Sequence, residues 1–245
     1  MTATRVPARL RHGSAVAVLA LIAGGCTPAF PSPPMPLGLT PVDRATAAAW
    51  AVSTDPEGHQ SYRFHWTLTD ERHGSGGGRG SALIAAPDSL RFDFRAALGA
   101  GAGAAAVVGD TALWAEPEDQ VHKLVPSYPL LWAMIGIAMP PGAGWRAEGH
   151  RDARVTAWRY VRGADTVEYV WQGPEGTDRR PVLSAYVSQA GKPVGKVITI
   201  YDSTRKLIRS RLDVLANPAR LVLDFDRNAK PITFGAEDWR APSDQ

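Results

Sequence analysis

Tyr62, Phe64, Trp66 and Leu68 alternate without a break with Arg63, His65, Thr67 and Thr69. Successive side chains of a strand point to opposite faces, so this spelling is that of a half-buried antiparallel strand. Leu90-Arg91-Phe92-Asp93-Phe94-Arg95 repeats it. Further short strand patterns cover 81–86, 105–109, 111–115 and 120–125, then 154–162, 166–171, 181–188, 194–201, 206–215 and 220–226. Turn chemistry separates most of them, as at Pro87-Asp88-Ser89, Gly163-Ala164-Asp165, Gly191-Lys192-Pro193 and Asn217-Pro218. Gly74 to Gly80 reads as a flexible hairpin connection and Gly101 to Ala106 as a flexible loop. No run of helices alternates with the strands, which disfavours a parallel α/β sheet. The expected class is α+β, with a curved antiparallel sheet forming a half-open β-barrel.

Two segments are spelled as helices. Thr40-Pro41-Val42-Asp43 has the hydroxyl, early proline and acid of a helix start, and the alanine-rich run to Val52 continues it as far as Asp55-Pro56-Glu57-Gly58. The second, Ser127 to Met139, is apolar on every side and stops at Pro140-Pro141. An all-round apolar helix of about three turns is buried or touches lipid, and it is too short to span a bilayer. It is expected as a plug in the concave face of the sheet, with the first helix covering that face.

The first 25 residues have the layout of an export signal. Arg5, Arg9 and Arg11 precede an apolar run from Ala15 to Ile22, far below the ~20 residues a spanning helix needs. Leu21-Ile22-Ala23-Gly24-Gly25-Cys26 follows, ending in the chain's one cysteine. These residues resemble the lipobox of bacterial lipoproteins, with Ala23 where leucine is usual. The resemblance implies a diacylglycerylated Cys26, removal of residues 1–25 and, with Thr27 rather than Asp next, the periplasmic side of the outer membrane. Residues 27–43 carry six prolines in 17 positions and read as a semi-rigid extended tether from that anchor. The expected organisation is therefore a leader over 1–25, a lipidated N-terminus and tether over 26–43, and one half-barrel domain over 44–245.

Charge and motif exclude several function classes. The formal charge is +3, from 27 Lys+Arg against 24 Asp+Glu. The three leader arginines supply the whole surplus, leaving 24 of each sign after it, so no electrostatic case exists for a nucleic-acid partner. One cysteine precludes an internal disulfide. No Gly-x-Ser-x-Gly elbow is present, and His59, His65, His73, His122 and His150 show no metal-ligand spacing. Gly101-Ala102-Gly103-Ala104-Ala105-Ala106 lacks the following helix of a dinucleotide site. Asp224 and Asp226 share one face of a strand, and read as its solvated side, with Arg209 and Arg211 as facing partners across strands. No cofactor, metal or catalytic residue is expected, and the chain does not read as an enzyme.

The aromatic residues point to binding. All eight tryptophans follow the leader. A curved sheet with a large apolar inner face and a helical plug either packs solid or leaves a cavity for acyl chains. The candidate lining residues are Tyr62, Phe64, Trp66, Phe92, Phe94, Trp114, Leu131, Trp132, Met134 and Ile135.

The leader ending at Cys26, the helix before the first strand and the long hairpins are similar to the lipoprotein carrier and receptor group of LolA and LolB, and to the mycobacterial LppX and LprG lipoproteins. The strand start Ala86-Pro87-Asp88-Ser89-Leu90-Arg91-Phe92, followed by Leu113-Trp114 and the plug, carries the same likeness over residues 44–240. It implies a half-closed barrel holding lipid in its concave face. The function expected is that of an envelope lipoprotein binding or transferring lipid or lipoprotein acyl chains. The alternative is a structural adaptor docking to an envelope protein complex, with no ligand cavity.

Overall fold

Alternating residues become one continuous sheet. In the computed structural model the residues described are 30–72, 74–85, 87–97, 101–118, 121, 126–174, 180–216, 218–226 and 230–242. The leader, Cys26 and, but for Val121, the strand expected over 120–125 lie outside them. The strands are β1 (Thr40–Val42), β2 (Gln60–Asp70), β3 (Gly74–Ala85), β4 (Ser89–Ala96), β5 (Ala102–Val108), β6 (Thr111–Glu116), β7 (Arg146–Arg151), β8 (Val155–Arg162), β9 (Asp165–Gln172), β10 (Val182–Gln189), β11 (Lys192–Tyr201), β12 (Leu207–Val214), β13 (Ala219–Phe225) and β14 (Lys230–Pro231). Among the described residues two α-helices accompany them, α1 (Arg44–Val52) and α2 (Tyr128–Met134), with a short 3-10 helix at Ala236–Trp239.

The spatial order is β1-β7-β8-β9-β10-β11-β12-β13-β2-β3-β4-β5-β6, antiparallel throughout, with β14 added beside β2. The order does not close on itself: the sheet is a curved half-barrel with β1 and β6 at its ends. Both helices pack on one face, called inner below. On it Trp66, Leu223, Ser210, Thr199, Leu183 and Trp171 stand in one cross-strand row. The sheet, both helices and every contact named below lie within residues 30–242, so all are present in a chain that starts at Thr27.

Three local expectations are corrected. Thr40–Val42 is a strand paired with Gly149–Ala147, and the cap of α1 is Asp43, whose carboxylate accepts from the Thr46 backbone N–H at 2.8 Å and its hydroxyl at 2.6 Å. Those bonds to the charged form hold the Asp43 carboxyl below its ordinary value. Gly74–Gly80 is the first half of β3, not a hairpin connection, and Ala102–Ala106 belongs to β5, not to a loop. The reason is steric. Gly80 faces Phe64 and Gly103 faces Phe94 in register, and a Cβ at either glycine would enter the facing ring. The glycines make room for aromatic rings on a crowded face.

The plug is shorter than its apolar run. α2 ends at Met134 because Gly136 takes a left-handed backbone (φ 84°), a conformation glycine adopts without steric cost. The tether also differs from a free spacer. Phe30 lies under the guanidinium groups of Arg209 and Arg211 (5.0 and 4.8 Å), Ser32 bonds the Tyr186 hydroxyl at 2.7 Å, and Pro33 is buried. Residues 30–33 are thus laid on the outer face of the sheet. Proline-rich chain has little freedom to lose on docking, and cation–π contact holds its aromatic end.

Candidate ligand cavity

Side chains of the sheet hold the C-terminal end of the plug. Thr199 donates to the Ala133 carbonyl (2.7 Å) and Tyr201 to that of Gly136 (2.9 Å). The backbone N–H of Ala138 donates to the Thr54 hydroxyl just past α1, and that of Met139 to the Tyr169 hydroxyl. On the other side, Trp132 donates its indole N–H to the Gly109 carbonyl at 2.7 Å, and Tyr128 accepts from Ala112 N–H. Groups orphaned where the short helix ends are satisfied by side chains of the sheet and by Thr54. Burial pushes the Tyr169 and Tyr201 phenols well above their ordinary range, so both remain neutral hydroxyls.

Beside this wedge a cavity of about 530 Å³ remains, within the ~300–1,000 Å³ usual for small-ligand sites. One wall is β4–β6, with Phe92, Phe94, Ala105, Val107 and Ala115; the other is β8–β10, with Tyr160, Val167, Tyr169 and Val187. Leu131 and Met134 of α2 form its floor, and Met139 to Trp145 another side. Its charged and amide groups sit in or beside hairpin turns: Asp110, Arg162, Asp165 and Gln189. Arg162 lies over the Trp145 ring at 4.8 Å and 3.6 Å from Asp165. The Tyr160 hydroxyl is buried and has no hydrogen-bond partner among the described residues. An unpaired buried hydroxyl costs free energy, which an acceptor oxygen of a ligand would recover.

The structure divides the ten expected lining residues. Phe92, Phe94, Leu131 and Met134 line the cavity. Tyr62, Phe64 and Trp66 are on the same inner face but belong to the solid aromatic packing beneath it. Phe64 stacks on Phe92 at 5.1 Å and meets Phe225 at 5.8 Å, Tyr62 meets Phe225 at 5.9 Å, and Trp66 meets Phe94 at 6.1 Å. Trp132 and Ile135 are buried in the plug itself. Trp114 is corrected outright: it pairs with Ala106 on the outer face, under Arg91 (5.4 Å), with its indole bonded to the Trp239 carbonyl (2.7 Å). Arg209 does face Asp224 (2.7 Å), whereas Arg211 pairs with Asp213 (3.0 Å) and not with Asp226.

Sequence reading missed the second wall. Val167 and Tyr169 alternate with Thr166 and Glu168 and so were legible as one face of a strand, but nothing local says which face meets α2. A second hollow of about 770 Å³, more open and more polar at His150, Arg151, Thr40 and Thr46, lies between α1 and β1–β7. The first cavity, less open and more apolar, is the better site for a ligand with a large apolar part.

Next to Thr54, at the exit of the plug, half-buried Asp55 has its carboxyl pushed up to about 6 by desolvation. A carboxyl raised in the folded state binds its proton there more tightly than in the unfolded chain. Stability is therefore greatest below the ordinary value of 3.8, falls as pH rises toward 6, and is level above it. Allowing for partial solvent screening, Asp55→Asn should stabilise the chain by about 1 kcal/mol at pH 8 and by nothing at pH 4. Urea melts at the two pH values check this; an equal effect at both would place the carboxyl in free solvent.

No family model matches the chain, and no curated protein matches it. Among solved structures it is similar to a LolA superfamily protein from Nitrosomonas europaea, at 10% identity and a TM-score of 0.39, over 82% of this chain and 99% of that one. It is also similar to an outer membrane lipoprotein-sorting protein domain from Vibrio parahaemolyticus, at 9% identity and 0.35, over 80% and 97%. A third is an exported protein with a YmcC-like fold from Bacteroides fragilis, at 11% identity and 0.24, over 72% and 97%. Likeness of this extent says nothing of ligand or activity.

Proposed function

We propose that the chain is an envelope lipoprotein, anchored through Cys26, that binds lipid or the acyl chains of a lipoprotein in the cavity beside α2, without catalysing a reaction. The observation that carries the reading is that cavity: about 530 Å³ between two sheet walls, lined mainly by Phe92, Phe94, Leu131, Met134, Val167 and Leu221. Transfer of apolar surface out of water stabilises a bound chain by ~25 cal/mol per Å². The neutral groups near it, the Tyr160 hydroxyl and the Gln189 amide, suit the ester or amide end of an acylated ligand.

Native mass spectrometry of residues 27–245, prepared without detergent, should show co-purified or added phospholipid. Ala105→Phe places a ring in the cavity between Phe92 and Ala115, which flank it in register. It should lower uptake of a fluorescent fatty acid at least tenfold while leaving the melting temperature within a few degrees. Absence of bound lipid across several lipid classes, or full uptake by Ala105→Phe, overturns the reading and leaves the adaptor.

A further inference from the structure

On the outer face of β12–β13–β2–β3–β4 one register row reads Arg209, Asp224, His65, Arg79, Arg95. Most charges on this face are internally matched. Asp224 is held by Arg209 at 2.7 Å, Asp213 by Arg211 (3.0 Å) and Arg220 (2.7 Å), and Asp93 by Arg91 at 2.9 Å. Asp226, beyond the end of β13, lies 3.9 Å from His65. Arg63, Arg79 and Arg95 remain, all exposed and all without a salt bridge among the described residues. Arg79 and Arg95 stand directly opposite each other across β3 and β4, an arrangement that is destabilising for like charges in an isolated sheet. Phe30 docks at the other end of the same row, on Arg209 and Arg211. The row spans four strand spacings, ~19 Å.

We propose that this outer face of β2–β4 is a docking surface for the anionic headgroups of a membrane, with Arg79 and Arg95 as its centre and Arg63 beside them. The occupant is a lipid surface, for two reasons. The three guanidinium groups, unpaired among the described residues, are exposed on one face and match phosphate in charge and in bidentate geometry. The clasped tether, moreover, brings the chain's N-terminal side to the same face, with Phe30 only four residues after Cys26. An anchor leaving there would set the arginine row against the bilayer. The surface is separate from the inner cavity and stands or falls apart from it.

The test uses residues 27–245, which carry no lipid and no leader, in co-sedimentation with vesicles of phosphatidylcholine alone or mixed with phosphatidylglycerol. The chain should partition onto the anionic vesicles, release near ~1 M salt, where screening shortens to ~3 Å, and ignore the neutral ones. Arg79→Glu with Arg95→Glu should lower that partitioning at least tenfold. Lys192→Glu with Arg180→Glu makes the same change in net charge at exposed positions off this row, and should lower it no more than about twofold. Circular dichroism confirms that each variant is folded. Equal binding to both vesicle types, no loss in the Arg79/Arg95 variant, or an equal loss in the Lys192/Arg180 variant each overturns the proposal.

Discussion

Gly80→Ala is expected to destabilise the chain by about 3 kcal/mol, whereas Gly76→Ala, four residues earlier on the same strand and the same face, should stay within about 0.5 kcal/mol of the parent. The added atom is the same methyl group. At Gly80 it would enter the Phe64 ring and stand 2.6 Å from the Asp93 carbonyl oxygen. Phe64 is held between Phe92 and Phe225, and the carbonyl belongs to the neighbouring strand, so neither moves without disturbing the sheet. At Gly76 the nearest atoms belong to Trp66 at 3.9 Å, an ordinary contact, and alanine loses less backbone entropy on folding than glycine. Urea unfolding of the two variants measures the difference. Equal costs would mean that the rings of Phe64 and Trp66 do not lie on β3.

The same strand shows how far the sequence was legible. Alternation in β2 and β4 named their inner residues because each carries large apolar groups on one side and charges on the other. The partner strand between them is built from glycines at 76, 78 and 80, which carry no side chain to show a period, so its first half read as a turn. Only pairing reveals that these positions oppose Leu68, Trp66 and Phe64. Trp114 failed for a related reason. Ala112-Leu113-Trp114-Ala115 is apolar on both parities, and the cover that buries Trp114 from outside comes from Trp239, 125 residues away. The clasp of the tether depends on two arginines brought side by side by β12, which no local pattern in residues 27–43 announces. Period and turn chemistry are local properties; which face is inner is decided by α2, whose contacts with β10–β12 are all long-range.

Truncations along α2 separate a wedge from a cavity wall. Trp132→Ala should cost about 4 kcal/mol, because a large, 2% exposed ring is removed from close packing and its bond to Gly109 is lost as well. Trp132→Phe keeps most of the packing and loses the N–H, and should cost about 1–2 kcal/mol. Met134, two residues on, is as buried by its neighbours but borders the open space. Met134→Ala leaves no new void sealed in close-packed surroundings, so it should cost only the transfer contribution, about 2 kcal/mol. The order Trp132→Ala, then Met134→Ala, is read from denaturant midpoints. Met134→Ala should also widen the site and accept a bulkier acyl probe than the parent does. A Met134 truncation as costly as that of Trp132, with no change in the probe accepted, would show α2 packed solid on both sides and remove the physical basis for a ligand site beside it.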